Sequence, residues 1–201
     1  MRNFSYVFVG YDLKLEREPT REEIIENVFK NYSGEKEIVF CGIGEPLIRL
    51  NDVLAVAKEL KKHSQVPIRV DTNGQVKLLY PYRDVVKELF KVIDAISVSL
   101  NAENEKKYNR LCRPQFSDAY KKMIEFAKEC TKYFHTSLSV VNLPIIDIEK
   151  CRKIATDIGA QFLVRKFRDT SLEKKRIKNY SRGALNNRYS LLCHDRRLFK
   201  N

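Results

Sequence analysis

Helical stripes and short apolar runs alternate along this chain from residue 20 to residue 164, and no other feature narrows its possible folds so sharply. Thr20 followed by Glu23 makes a capping box, in which each side chain accepts from the other's backbone N–H. Behind it Ile24, Ile25, Val28 and Phe29 repeat at helical spacing until Ser33-Gly34. A strand is expected over 37–41, then a helix from Asn51-Asp52 with Val53, Val56, Ala57 and Leu60 inward. The next strand, 67–70, runs into Asp71-Thr72-Asn73-Gly74. A helix over 83–93 is expected to turn Val85, Val86, Leu89, Phe90 and Ile93 inward, ahead of a strand over 94–100. Helices follow through Tyr108 and Leu111 and over 117–133, then a strand at 136–141. A helix over 147–158, stopped by Gly159, and a strand over 161–164 close the series. Strict helix–strand alternation means βα units around a parallel sheet.

Length allows one sizeable domain: 201 residues, 43% of them hydrophobic, can bury a real core. No apolar run reaches the roughly 18 residues of a membrane helix. Residues 1–6 lack a secretory h-region, so a cytoplasmic protein is expected. Cys41, Cys112, Cys130, Cys151 and Cys193 form no CxxC or other short ligand spacing, which argues against disulfides and against a zinc site. The net charge of +12 is unevenly placed, because Thr170 to Asn201 holds nine Lys or Arg against Glu173 and Asp195 alone. That segment reads as a basic, solvated tail.

The series opens on a helix, whereas a βα repeat should open on a strand. Residues 4–9, "FSYVFV", are apolar enough to supply one, but Gly10-Tyr11-Asp12 and the charged run to Glu18 read more as a long loop. Strand 37–41 would then be an apolar edge of the kind folded proteins cover. The division expected is a loop remnant over 1–18, an α/β core over 19–168 and the tail over 169–201.

In parallel barrels and doubly wound sheets, chemistry gathers at the carboxyl ends of the strands. Those ends carry Gly42, Gly44 and Glu45; Asp71, Thr72 and Asn73; Ser99 and Asn101; Asn142; and Arg165 and Arg168. Glycines let backbone approach a ligand closely, and Glu45 can pair with an amine. Each piece also has a plainer reading. Gly-x-Gly is commonly a tight turn, "DTNG" suits a type I turn, and Ser99 or Asn101 can cap the following helix. His63, His135 and His194 have no partner spacing and receive no catalytic role. Recurrence on one rim favours a small, polar, zwitterionic ligand.

The stretches "EIVFCGIGEPLIRLNDVLAVAKELK", "PIRVDTNG", "DAISVSLNAENEKKYNRLCRP" and "DIEKCRKIATDIGAQFLVR" resemble the radical SAM superfamily. "GYDLKLEREPT" resembles the group encoded beside, or fused to, TatD-type nucleases. The resemblance implies an α/β fold, a partial parallel (β/α)6 TIM-like barrel that here lacks its first strand. It implies S-adenosylmethionine as cofactor, its amino group held by Gly42, Gly44 and Glu45 on a turn stiffened by Pro46. By the same match Asn73, Ser99 and Asn101 contact methionine carboxylate or ribose, and Asn142 lies on the adenine side. Asp71 and Arg113 are candidates for contact with substrate.

Such enzymes hold a [4Fe–4S] cluster on three cysteines spaced CxxxCxxC. With an external electron donor they cleave S-adenosylmethionine to methionine and a 5′-deoxyadenosyl radical. This chain has no such triplet, so no metal ligand is assigned within it, and the resemblance places the triplet just upstream of Met1. A TatD-type nuclease is an implied partner, and no membrane is expected. Two further readings stay open: a non-catalytic module that binds S-adenosylmethionine, and a nucleic-acid binder acting through the tail, which lacks the motifs such a protein would carry.

Overall fold

A computed structural model describes residues 7–8, 11–12, 15–42 and 44–167. It opens with two short strands, β1 (Val7–Phe8) and β2 (Tyr11–Asp12), paired antiparallel with Val7 opposite Asp12. The stretch expected as a loop thus holds a small ladder of its own, separate from the main sheet. Helix α1 (Arg21–Asn31) starts at the predicted capping box. There Glu23 N donates to Thr20 Oγ1 at 3.2 Å, and Thr20 N donates to Glu23 Oε2 at 2.8 Å.

Five strands then lie side by side in chain order, all parallel: β3 (Ile38–Phe40), β4 (Ile68–Thr72), β5 (Ala95–Ser99), β6 (His135–Asn142) and β7 (Gln161–Lys166). Helix α2 (Leu50–His63) links β3 to β4, and α3 (Val76–Leu79) with α4 (Val85–Phe90) links β4 to β5. The remaining crossovers are α5 (Glu105–Cys112) with α6 (Ala119–Cys130), then α7 (Ile148–Asp157). This is an α/β fold of the expected kind, consistent with a partial TIM-like barrel. The sheet is not closed, and among the described residues β3 and β7 are its edges.

The helices cover one face of the sheet. Phe40, Ile68, Val70, Ile96, Val98, Leu138 and Val140 alternate toward that face and are buried. Against them sit Val53, Val56, Ala57 and Leu60 of α2, Met123, Phe126, Ala127 and Cys130 of α6, and Cys151 and Ala155 of α7. Each fully buried aliphatic or aromatic side chain in that layer contributes roughly 1.5–3 kcal/mol, which is what holds helices of this length in place. Asp94 fastens the layer at the end away from the strand tips. It accepts from Ile68 N at 2.7 Å, donates its own N–H to Ile68 O at 2.9 Å, and pairs with Lys61 of α2 at 2.5 Å.

Several local expectations change. The strand expected to end at Val70 runs on through Asp71 and Thr72. A 3₁₀ turn, Pro46–Arg49, precedes α2, and α3 stands between the strand ending at Thr72 and the helix that follows. Phe90, expected inward, is 53% exposed, with its ring centre 5.5 Å from that of Tyr133 and 5.8 Å from that of Phe134. Val85, Val86 and Leu89 already fill the inward side of a six-residue helix. One residue beyond Leu89 is a turn of roughly 100° around the axis, which points Phe90 past the core. Arg168, Cys193, His194 and the basic segment lie outside the described residues. Among those described, no helix is long and apolar enough to cross a membrane.

Candidate functional site

The glycine turn sits where β3 ends. Gly42 and Gly44 are exposed, while the next three residues, Glu45, Pro46 and Leu47, are buried. Burial of a carboxylate in that company requires donors, and the fold provides them. Glu45 Oε1 accepts from Leu47 N at 3.1 Å and from Thr72 Oγ1 at 2.8 Å, while Oε2 accepts from Asn73 N at 2.6 Å. One side chain thereby caps the 3₁₀ turn and ties it to the end of β4. Pro46 stands at the first position of that turn, where a missing N–H costs nothing.

All three donors are neutral. Burial pushes the Glu45 carboxyl up to about 7, against the pull of Asn73, Thr72 and Leu47. No positive charge stands among these contacts, so the carboxyl rests on neutral donors alone.

The β4 side of the corner is equally well braced. Thr72 Oγ1, while donating to Glu45, accepts from Gly74 N at 3.0 Å, and Asn73 Oδ1 accepts from Gln75 N at 2.9 Å. Gln75 Nε2 reaches the hydroxyl of Tyr108 at 3.0 Å, which brings α5 under the turn. Gly74 has φ of +74°, and a β-carbon there would stand 2.8 Å from Met123 Cγ and 2.9 Å from Val98 Cγ1. Glycine is required on both counts. Thr72, Gln75 and Tyr108 belong to this corner although the rim pattern singled out only its first member.

The uncovered face of the sheet is polar. Over it opens a cavity of about 480 Å³, lined among others by Asp71, Ser97, Ser99, Ser137, Ser139 and Arg165. Ser97 pairs in register with Ser137, and Ser99 with Ser139, so four hydroxyls form a square on adjacent strands. Arg69 on the same face pairs with Glu37 through two bonds of 2.9 and 3.1 Å and also with Asp71. Burial raises the Asp71 carboxyl above its usual range, with Arg69 and then Arg165 pulling it back.

The signal for this face was the polar alternation in "IRVDT", "AISVS" and "HTSLSVVN". A parallel sheet covered on both sides reads as unbroken apolar runs. Of the sequence-predicted residues, Glu45 and Asn73 touch, and Asp71 and Ser99 share the cavity. Asn101 adopts a left-handed φ of 60° and places Nδ2 3.5 Å from Cys112 Sγ. Asn142 is exposed at the end of β6, and Arg113 is exposed as the left-handed C-cap of α5. Neither of these two lines the cavity.

Cys41 and Cys112 are partly buried, Cys130 and Cys151 fully so, each in a different part of the fold. Burial pushes all four thiols up, Cys151 to about 11. Among the described residues no three His, Cys, Asp or Glu side chains gather so as to hold a metal, so these residues do not fit an iron–sulfur cluster.

Known proteins share features of this chain. A family model described as the radical SAM superfamily matches residues 5–158. Archaeal TYW1 superposes with a TM-score of 0.53 at 15% identity, over 79% of this chain and 55% of that one. The chain therefore spans about half the length of that protein. A domain of the pyruvate-formate lyase-activating enzyme from Bacteroides vulgatus ATCC 8482 gives 0.45 at 12% identity, over 64% of this chain and 98% of that one. A radical SAM methyltransferase from Sphaerobacter thermophilus gives 0.39 at 15%, over 82% and 63%. At these identities a likeness speaks for fold alone. No curated protein matches significantly.

Proposed function

Since the chain belongs to the radical SAM superfamily, we propose that the corner between β3 and β4 binds S-adenosylmethionine. Gly42 and Gly44 offer exposed backbone, Pro46 stiffens the turn, and Glu45 takes the methionine ammonium. Asn73, Ser99, Asn101 and Asn142 supply polar contacts to carboxylate, ribose and adenine along the strand ends, and Asp71 and Arg113 are left for substrate. The observation that carries this reading is Glu45: a buried carboxyl held by three neutral donors, beside glycine backbone, at the carboxyl edge of a parallel sheet.

When bound together with a [4Fe–4S] cluster and reduced by an external donor, S-adenosylmethionine supplies radical chemistry. None of the described residues is assigned to that cluster. We propose that its thiolates come from a CxxxCxxC segment joined ahead of Met1, and that the protein belongs with the TatD-nuclease-linked group and works alongside such a nuclease. Anaerobic reconstitution of a chain extended by its upstream codons tests this: iron–sulfur absorbance that needs the added cysteines supports it, and its absence refutes it. The scattered cysteines favour, as the second reading, a module that binds S-adenosylmethionine without catalysis.

Calorimetry with S-adenosylmethionine tests the site itself. Gly44→Val should abolish binding by filling the space the backbone offers. Glu45→Gln should weaken it roughly 10- to 100-fold, the worth of a charge-assisted contact. Equal affinity for the parent chain and both variants would remove the assignment.

A further inference from the structure

Strand β7 leaves one long edge of the sheet bare. Residues 161–166 pair one to one with 137–142 of β6, and among the described residues nothing pairs with their outer side. Leu163 and Val164, on opposite faces, are 39% and 45% exposed, and Phe167 just beyond is 62% exposed. Edges of this length are ordinarily blunted by a proline, a bulge or a charge. Here the register with β6 is unbroken, and Phe162-Leu163-Val164 at the middle of the strand holds neither proline nor charge. The opposite edge, β3, is three residues long against six and ends on buried Phe40.

Charge narrows what can complete this edge. Between Thr170 and Asn201 the chain carries nine Lys or Arg against Glu173 and Asp195. Strand β7 itself ends in Arg165-Lys166, and Arg152 of α7 lies over the Phe162 ring at 5.0 Å. Laying the basic segment along β7 would set cations beside cations.

A second copy of β7 meets no such cost. A two-fold axis perpendicular to the sheet sets the two strands antiparallel and closes the assembly at two copies. Opposed residues then share a face, so odd positions meet odd and even meet even. With Leu163 on the axis, Leu163 meets Leu163, Phe162 meets Val164 and Gln161 meets Arg165, and no like charges are opposed. Moving the axis to Val164 sets Leu163 against Arg165 and Phe162 against Lys166. Moving it to Arg165 sets two guanidiniums face to face.

We infer that the chain forms a two-fold dimer through β7, centred on Leu163, which joins two five-stranded sheets into one continuous sheet. Pairing covers the apolar middle of both strands and gives their outward backbone groups partners. Leu163 also lines the cavity over the open face, so the two cavities stand side by side across the axis. None of this depends on the cofactor reading.

Sedimentation velocity of the full 201-residue chain over a dilution series tests the dimer, and a monomer–dimer equilibrium is expected. Leu163→Lys and Leu163→Glu should each weaken association roughly 10- to 100-fold, because each places like charges on the axis. Mixed in equal parts, the two variants should dimerise with one another. Phe90→Lys makes an equivalent apolar-to-charged change at an exposed site on α4 and should leave the dimer intact.

A parent chain that stays monomeric throughout the series overturns the proposal, as does a dimer that Leu163→Lys leaves untouched. Stronger association of Leu163→Glu alone would place position 163 opposite Arg165 and overturn the pairing. So would slow exchange, in a monomeric chain, of the alternate β7 amides that face away from β6, which would give the edge to another segment of the same chain.

Discussion

The corner between β3 and β4 and the open face of β5 and β6 are made of similar residues and are put together in opposite ways. In the corner, Glu45, Thr72, Asn73, Gly74 and Gln75 satisfy one another, with Tyr108 beneath them. On the open face, Ser97, Ser137 and Ser139 turn their hydroxyls to the cavity rather than to one another or to any described residue. The first arrangement holds a shape before any ligand arrives, so little ordering remains to oppose binding. The second leaves its hydroxyls open to the cavity. The proposed cofactor site draws on the braced corner, and the cavity wall beside it stays open.

Three measurements test that contrast. The largest effect belongs to Gly74→Ala. A left-handed residue with a β-carbon costs about 1–2 kcal/mol, and crowding Met123 and Val98 about 1–3 more. Denaturant unfolding should show a loss of roughly 2–5 kcal/mol. A loss under about 1 kcal/mol would mean the corner yields, and the rigid half of the contrast fails.

The second concerns pH. The Glu45 carboxyl, ordinarily near 4.5, is pushed up to about 7 in the fold. A raised acid binds its proton more tightly in the native state, so its stabilising effect is whole below about 4.5 and is lost as pH rises toward 7. The loss is on the order of 3 kcal/mol. Glu45→Gln should flatten the stability profile across that window, read from urea unfolding at stepped pH. A profile unchanged by the substitution would show that Glu45 is not the buried acid described. The cofactor reading adds a sign of its own: ammonium binding should release a proton at about pH 6.

The third and smallest effect compares two hydroxyl deletions. Thr72→Val takes a donor from Glu45 and leaves the Gly74 N–H without a partner, and should cost about 1–3 kcal/mol. Ser139→Ala removes a group with no partner to lose, so unliganded stability should shift by less than about 0.5 kcal/mol. Similar losses in both would erase the difference between the two regions.

Most of the fold was legible in the sequence. Periodicity placed the helix–strand order, the five parallel strands and nearly every core residue, since burial on one face of each element is written residue by residue. Phe90 escaped because periodicity cannot say where a short helix stops needing another apolar contact. The 3₁₀ turn escaped because it depends on Glu45 bonding to its own neighbour, Leu47. At the site, Glu45 was visible as a carboxylate after a strand and two glycines. Its burial was not, because Thr72 and Asn73 stand 27 and 28 positions away in the chain.

Residue order alone was thus enough to say which faces are apolar, where turns must fall, and that polar residues recur at the strand ends. Those follow from local geometry and the hydrophobic effect. It took the folded arrangement to enclose Glu45 among neutral donors, and to bring Ser97, Ser99, Ser137 and Ser139 together as a square in the cavity that Arg165 lines. The serines belong to two strands separated in the chain by a pair of helices. Parallel register, set by packing of the opposite face, is what lays them side by side.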